Sequence, residues 1–498
     1  MTAGAPNANR DQLASDVAKS IRDGAQLALS LLATWAVALV VRVMIPRHLG
    51  PAAFGTFDFS DAFTATVVVI GSLGVDTYIR KEIPSRASHA STFFAGTIVI
   101  RILVGIVVMT GATLVLRAAG EPPLILHLVA ILGAAQIVAQ LNGSYGALLQ
   151  SVGAVSAQSM ANVVAKLVWG AGIVIAFAVG RGVVTIAAVM LFAELVRLAW
   201  LATLTRTKAN LRYRLDLPTS FGVLFASFPY YVTQLAQTVY TRIDISIMAF
   251  MTSKLEVGWY GAAQNIAGLS LLLSPIIGWI LLPLSSRVGE RSREEMLHVF
   301  RRAMDALLAI AFPIALTLGL GADVITRLAF GEAFEPAARS LRLLAPAFVL
   351  TYITMLEASV LVRIDRGWVL TAIVLSTMVI SPLLNVWLIP LGLSMYGAGG
   401  AGVGSSVAQL ITEGYSVIAM TIVLRGHVFD RTTTVHLVKT TVAAGVVSGA
   451  HVVMAPLHGW RYPLDALLYL TIVIGWDAID LRAWSTVIGN ALHHRRAA

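Results

Sequence analysis

Five polar residues, Tyr230, Gln234, Gln237, Thr241 and Asp244, punctuate an otherwise apolar run at spacings of 4, 3, 4 and 3. That spacing puts them on one face of a helix nearly four turns long. Hydroxyls, amides and a carboxylate are the partners that sugar hydroxyls need. The same groups also serve as hydrogen bonds between helices in a membrane, with no ligand involved. Arg242 lies two residues from Asp244, so the two do not face each other. In the segment 157–179, Gln158, Asn162 and Lys166 recur every four residues. Lys166 can meet a strongly anionic group such as a pyrophosphate, or can snorkel to the surface. Arg101, about ten residues into the segment 92–116, has the same two readings. Arg42 reads as an interfacial anchor, and Glu194 with Arg197, three apart, as a structural ion pair.

Carboxylates form a second set. Glu357 and Glu413 have no basic residue nearby within their own apolar segments. An isolated carboxylate in a low-dielectric site can carry a proton. Asp58 and Asp61 share a helical face and can bind a cation or simply hydrate a helix end. Asp61, Asp244, Glu357 and Glu413 are therefore the candidates for coupling to a proton or a sodium ion. Ionisable groups inside spans cost a few kcal/mol each, about 2.5–3.5 at the centre, and are functional candidates for that reason.

The elements that must position these residues are transmembrane helices. The chain has 498 residues, 57% hydrophobic and only 12% charged, with a mean hydropathy of +0.80. Apolar stretches of spanning length run over about 24–45, 56–75, 92–116, 123–149, 157–179, 183–204, 220–251, 257–285, 304–326, 340–361, 368–391, 400–424, 438–456 and 464–481. The expected fold is an all-α polytopic membrane protein of about fourteen helices. Every second loop is rich in Lys and Arg: Arg80, Lys81 and Arg86; Arg206, Lys208, Arg212 and Arg214; Arg287, Arg291, Arg293, Arg301 and Arg302; Arg363 and Arg366; Arg425, Arg431 and Lys439. The positive-inside rule places these loops, the N-terminal tail 1–23 and the C-terminal tail 482–498 in the cytoplasm. The start of the chain lacks the order of a cleaved signal peptide.

Composition excludes much. With no cysteine there are no disulfides and no thiolate metal sites. The formal charge of +10 sits mostly in loops and does not point to nucleic acid. No connection is large enough for a catalytic domain, so the expectation is a transporter rather than an enzyme, without a metal or cofactor. The stretch GAGGAGVG, 397–404, has no Walker or Rossmann pattern and reads as close helix packing. Pro229, Pro275, Pro283, Pro313 and Pro382 fall within spans and mark kinks.

The loop 205–219 separates two halves, 24–204 and 220–424, with 438–481 as an appendage. A faint repeat supports this division. Phe54-Gly55-Thr56-Phe57 and Val257-Gly258-Trp259-Tyr260 both read apolar-Gly-x-aromatic, six helices apart. Parallel repeats of this kind are a transporter architecture.

Four segments, in order, carry a resemblance. RHLGPAAFGTFDF followed by GVDTYIRKEI, then DISIMAFMTSKLEVGWYGAAQNI running into LLPLSSRVGE, then LAFGEAFEPAARSLRLLAP, then NVWLIPLGLSMYGAGGAGVGSSVAQL, resemble bacterial polysaccharide flippases of the Wzx type. The resemblance covers about residues 28 to 425. That family belongs to the multidrug/oligosaccharidyl-lipid/polysaccharide (MOP) exporter superfamily. The resemblance implies two six-helix lobes forming a V around a central cavity, plus two C-terminal helices. It implies transfer of undecaprenyl-pyrophosphate-linked oligosaccharides, such as O-antigen units, across the bacterial inner membrane. It also implies a polysaccharide polymerase and chain-length machinery as partners. Substrate contacts would fall to Arg101, Lys166, Tyr230, Gln234, Gln237, Thr241 and Arg242. The alternatives on the same scaffold are drug efflux and lipid II transfer. Lipid II flippases line their second helix with arginine, whereas this chain has Asp58 and Asp61 there.

Overall fold

The computed structural model describes residues 5–86, 89–269, 293–424 and 431–476, and side chains from residue 37 onward. The segment LLPLSSRVGE, Pro275, Pro283, Arg287, Arg291, Arg425 and the tail 482–498 lie outside the described residues. Among the described residues the chain is all helix. The helices are α1 Ala5–Val68, α2 Val75–Glu82, α3 Ala90–Ala118, α4 Pro123–Ser151, α5 Val155–Ala178, α6 Val183–Lys208, α7 Leu217–Met251 and α8 Lys254–Leu269. They continue as α9 Arg293–Leu320, α10 Ala322–Phe330, α11 Ala337–Arg363, α12 Gly367–Tyr396, α13 Gly400–Leu424, α14 Arg431–Val453 and α15 Arg461–Gly475. Nine helical stretches among the described residues are long and apolar enough to cross a membrane. This is a multi-pass all-α membrane protein.

The first two expected spans, 24–45 and 56–75, are two helices that follow each other directly and meet at Gly50, whose backbone is not helical (φ 74°, ψ 167°); α1 denotes the pair. Pro51 removes a backbone donor and disfavours α-geometry in the residue before it. A positive φ with extended ψ is open to glycine alone. The break thus uses two residues where a longer connection was expected. The second half of α1 ends in a 3-10 turn, Val69–Ser72. Leu73 (φ 54°) and Gly74 (φ 68°) then break the helix before α2.

Contacts divide the chain into two compact units, Met1–Gly258 and Trp259–Ala498. Helix α7 packs on α1, α2 and α3 of the first unit. Asp216 caps α7, accepting from the Thr219 backbone N–H at 3.1 Å and from its hydroxyl at 2.6 Å. The core of the first unit joins Val75, Ile79, Phe93, Phe94, Tyr145, Leu148 and Leu201. The core of the second joins Phe300, Met304, Tyr352, Leu356, Val360, Met420 and Val447. Apolar side chains also face outward, with Phe225 82% and Trp368 80% exposed. That is what a hydrocarbon solvent permits and water would not.

The glycines of 397–404 bring α12 and α13 together. A Cβ on Gly404 would stand 2.1 Å from the Leu388 carbonyl oxygen, and one on Gly392 2.3 Å from that of Gly400. The two backbones touch, which only glycine allows.

Candidate functional site

The break after Ser72 strips helical donors from the carbonyls ahead of it. In a membrane these must be satisfied by other groups. Gln140 of α4 donates to the Val68 carbonyl at 2.6 Å. Arg101 of α3 donates through Nε to the Gly71 carbonyl at 3.3 Å. The same guanidinium bonds Asp76 at 2.7 Å, in the first turn of α2, and the Ser144 hydroxyl. Ser144 in turn donates to Asp76 at 2.7 Å. Arg101 is only 2% exposed. Its charge is matched and its donors are aimed at protein.

The stripe on α7 lies differently. Gln237 and Thr241 are exposed, Tyr230 and Gln234 half-buried and Asp244 buried. Tyr230 accepts a hydrogen bond from Lys81 at 3.0 Å. Asp244 accepts from the backbone N–H of Ile245 at 2.8 Å.

Around the buried end of that stripe the first unit gathers a charged cluster. Arg42 is close enough to feel the charges of Arg242, Asp61 and Asp58. Asp58 feels Arg242, Asp61, Asp244 and Arg42. Lys166 feels Glu194, Arg197, Arg42 and Asp61. Cations and carboxylates are equal in number: Arg42, Lys166, Arg197 and Arg242 against Asp58, Asp61, Glu194 and Asp244. Their pairing is uneven. Glu194 takes Arg197 at 3.4 Å and also the Asn142 amide at 2.8 Å. Asp61 accepts from Gln136 at 2.9 Å. One oxygen of Asp58 has no partner, although the residue is buried. Among the described residues, Arg42, Lys166 and Arg242 form no ion pair. The Lys166 ammonium rests over the Trp169 ring at 4.7 Å.

The second unit holds the other two carboxylates. Glu357 is fully buried. It accepts from the Thr421 hydroxyl at 2.6 Å, and its second oxygen has no partner. Glu413 accepts from Thr354 at 3.3 Å. Both bonds join α11 to α13. Among the described residues, no group of three His, Asp or Glu side chains could hold a metal ion.

Asp76, Ser144, Gln136, Gln140 and Asn142 escaped sequence reasoning. Asp76 sits beside a basic loop and looked solvated. Of the others, Gln136, Gln140 and Ser144 recur every four residues on one face of α4, a signal of the same kind as that of Gln158, Asn162 and Lys166. Asp76 carried one signal: it lies two residues after Gly74, in the first turn of a short polar helix.

The sequence from residue 20 to residue 288 matches the model of the polysaccharide biosynthesis protein family. No curated protein matches the chain. Among solved structures it is similar to the lipid II flippase MurJ in an inward closed conformation. There the identity is 13% and the TM-score 0.70, over 92% of this chain and 99% of that one. It is also similar to an inward-facing multidrug resistance MATE family transporter of the MOP superfamily. In that case identity is 17% and the TM-score 0.62, over 80% of this chain and 95% of that one. These relatives are transporters and flippases rather than enzymes, and the fold is theirs. The family match covers more than half of the chain, and the chain belongs to the polysaccharide biosynthesis protein family.

Proposed function

We propose that this protein flips undecaprenyl-pyrophosphate-linked oligosaccharide units from the cytoplasmic to the periplasmic leaflet of the bacterial inner membrane. The observation that carries this reading is the trio Arg42, Lys166 and Arg242. Each comes from a different helix, and none forms an ion pair among the described residues. A lone cation at the bilayer centre costs about 2.5–3.5 kcal/mol. Three held together without partners are best accounted for by a multiply charged anion, and a pyrophosphate supplies it. The exposed amides and hydroxyls of Gln237 and Thr241, with Gln234 and Tyr230 behind them, would meet the sugars. A drug exporter needs an acidic aromatic site for organic cations, and the three unpaired cations oppose that.

The four carboxylates Asp61, Asp244, Glu357 and Glu413 are the coupling set. When pyrophosphate takes the cations of the first unit, Asp61 and Asp244 lose favourable neighbours and accept a proton or sodium ion instead. The membrane potential supplies about 2.3 kcal/mol per charge per 100 mV. Helices 24–204 and 220–424 form the two lobes in this reading, and both termini are cytoplasmic. The polymerase and chain-length machinery take the product.

Translocation in proteoliposomes tests the reading. Lys166→Ala should abolish transfer of a pyrophosphate-linked glycan with the melting temperature unchanged, and Lys166→Arg should keep part of it. Full transfer by Lys166→Ala and by Arg42→Ala alike would place the pyrophosphate elsewhere.

A further inference from the structure

A buried pair joins α14 to α15. His451 Nδ1 and Asp465 Oδ2 lie 2.5 Å apart, and the imidazole packs 5.6 Å from the Tyr462 ring. Whichever side chain holds the proton, this contact occupies one carboxyl oxygen and leaves the other an acceptor. That second oxygen, Asp465 Oδ1, has no hydrogen-bond partner. Four residues on, the Tyr469 hydroxyl has none either. The two residues are only 6% and 3% exposed. Their spacing sets them one above the other on a single face of α15.

Both side chains line a cavity of 430 Å³ inside the second unit, walled by α9, α10, α14 and α15. Leu316, Leu320, Val324, Ile325, Val447 and Leu470 make its walls apolar. The other polar groups on the wall already have partners. The Thr317 hydroxyl donates to the Pro313 carbonyl at 2.8 Å, and Tyr462 accepts from Arg461 at 3.1 Å. The cavity therefore offers one acceptor and one hydroxyl, a helical turn apart, within apolar space. Buried polar groups are normally bonded, and leaving them bare is costly. A water could bridge the two, but it needs only about 10–15 Å³ of such space. Most of the cavity is left for an apolar body. Asp465 and Tyr469 stand about 6 and 12 Å along α15 from Arg461. An arginine belongs at the headgroup level, so the two groups lie just inside the hydrocarbon.

We propose that this cavity binds a neutral amphiphile with a hydroxyl head and an apolar chain. The hydroxyl donates to Asp465 Oδ1 and accepts from Tyr469. It is the smallest head that does both. An ammonium only donates, and leaves the phenol proton without an acceptor. A carboxylate or phosphate only accepts, and sets like charge against Asp465. The chain of a polyprenyl pyrophosphate has no hydroxyl, so this site is separate from that of the proposed cargo and does not rest on it.

Photolabelling tests the site on the full chain in phosphatidylcholine nanodiscs. The probes are hexadecanol with a diazirine on its chain and the methyl ether of the same compound, with labelled peptides read by mass spectrometry. The alcohol should label 313–325 and 461–475 about tenfold more than the ether, the worth of a hydrogen bond to a buried carboxylate. Tyr469→Phe keeps the ring and should cut that preference several-fold, with a melting temperature no lower than the parent's. His451→Phe with Asp465→Leu strands neither partner and should abolish the preference while the ether still labels. Unlabelled hexadecanol and dioleoylglycerol serve as competitors, and the one that displaces the label at lower dose tells a single-chain from a two-chain source. Equal labelling by alcohol and ether would overturn the site and leave an acyl-chain groove with a water across the two groups. Parental preference in Tyr469→Phe, or displacement by neither competitor, would overturn it as well.

Discussion

Replacing Arg101 with alanine should damage the fold before it touches transport. The guanidinium is enclosed, paired with Asp76 and bonded to Ser144 and to the Gly71 carbonyl. Removing it leaves a carboxylate with 14% exposure facing Ser144 alone, and a helix-end carbonyl with no donor. Breaking a buried pair by deleting one partner costs about 3–5 kcal/mol. At about 2 °C per kcal/mol for a unit of roughly 250 residues, the melting temperature should fall by about 6–10 °C. Asp76→Asn leaves the more deeply buried charge, that of Arg101, without its counter-ion and should cost about as much. The double variant Arg101→Met with Asp76→Leu should recover most of the loss, because neither charge is then stranded. The Gly71 carbonyl and the buried Ser144 hydroxyl would lose these partners, at about 1–3 kcal/mol for a group left unsatisfied. Detergent-solubilised protein, followed by tryptophan fluorescence and by size-exclusion after a heating series, gives the four melting temperatures. If Arg101→Ala melts within about 2 °C of the parent, the enclosure is not load-carrying and the assignment of this arginine to the broken helix fails.

The other expectations are briefer. Reporter fusions at Thr219 and Arg302 should read cytoplasmic, and those at Glu335 and Ser394 periplasmic; one fusion on the wrong side undoes the topology. Hydrogen bonds from Thr219 hold the Asp216 carboxyl below its ordinary value of 3.8. The cap is therefore fully present above that value and is lost as pH falls through the lower, folded one. Amide exchange at Thr219 and Ser220 should rise over intrinsic rates only at that acid end, whereas Asp216→Asn, a neutral cap, should show no such rise. Gly404→Val should prevent α12 and α13 from closing, read as loss of monodisperse protein, while Gly414→Ala, with open space around it, should be silent. Transfer should rise with an imposed proton or sodium gradient and lose that dependence when the responsible carboxylate among Asp61, Asp244, Glu357 and Glu413 is amidated; indifference to gradient in the parent would make the protein a facilitator.

Hydropathy, basic loops and helical spacing made the helix content, the membrane class and the α7 stripe legible, because each is a local property of the chain. Partnership was not legible. Arg101 and Lys166 read alike in sequence, as single cations about midway along apolar segments. The fold separates them, since Arg101 pairs with Asp76 from 25 residues away while Lys166 forms no ion pair among the described residues and rests over Trp169, three residues on. The break between the first two spans was legible, but not its length: the hydropathy left about ten residues for the connection, and the helices run up to Gly50 from both sides. The matched glycines 55 and 258 were visible as a repeat. Their mutual contact was not, because nothing local tells which helices will cross.

The carbonyls exposed where the second span breaks have a consequence for how the chain is made. Val68 and Gly71 are satisfied by Gln140 and Arg101, which lie 72 and 30 residues later in the sequence. During synthesis the ribosome delivers the break well before it delivers either donor. The nascent second span must therefore wait, at the translocon or in wet protein surroundings, until the third and fourth helices arrive to finish it. The first four spans enter the lipid as one cooperative parcel, and a pause or truncation between residues 75 and 140 would strand an incompletely bonded helix for quality control to find.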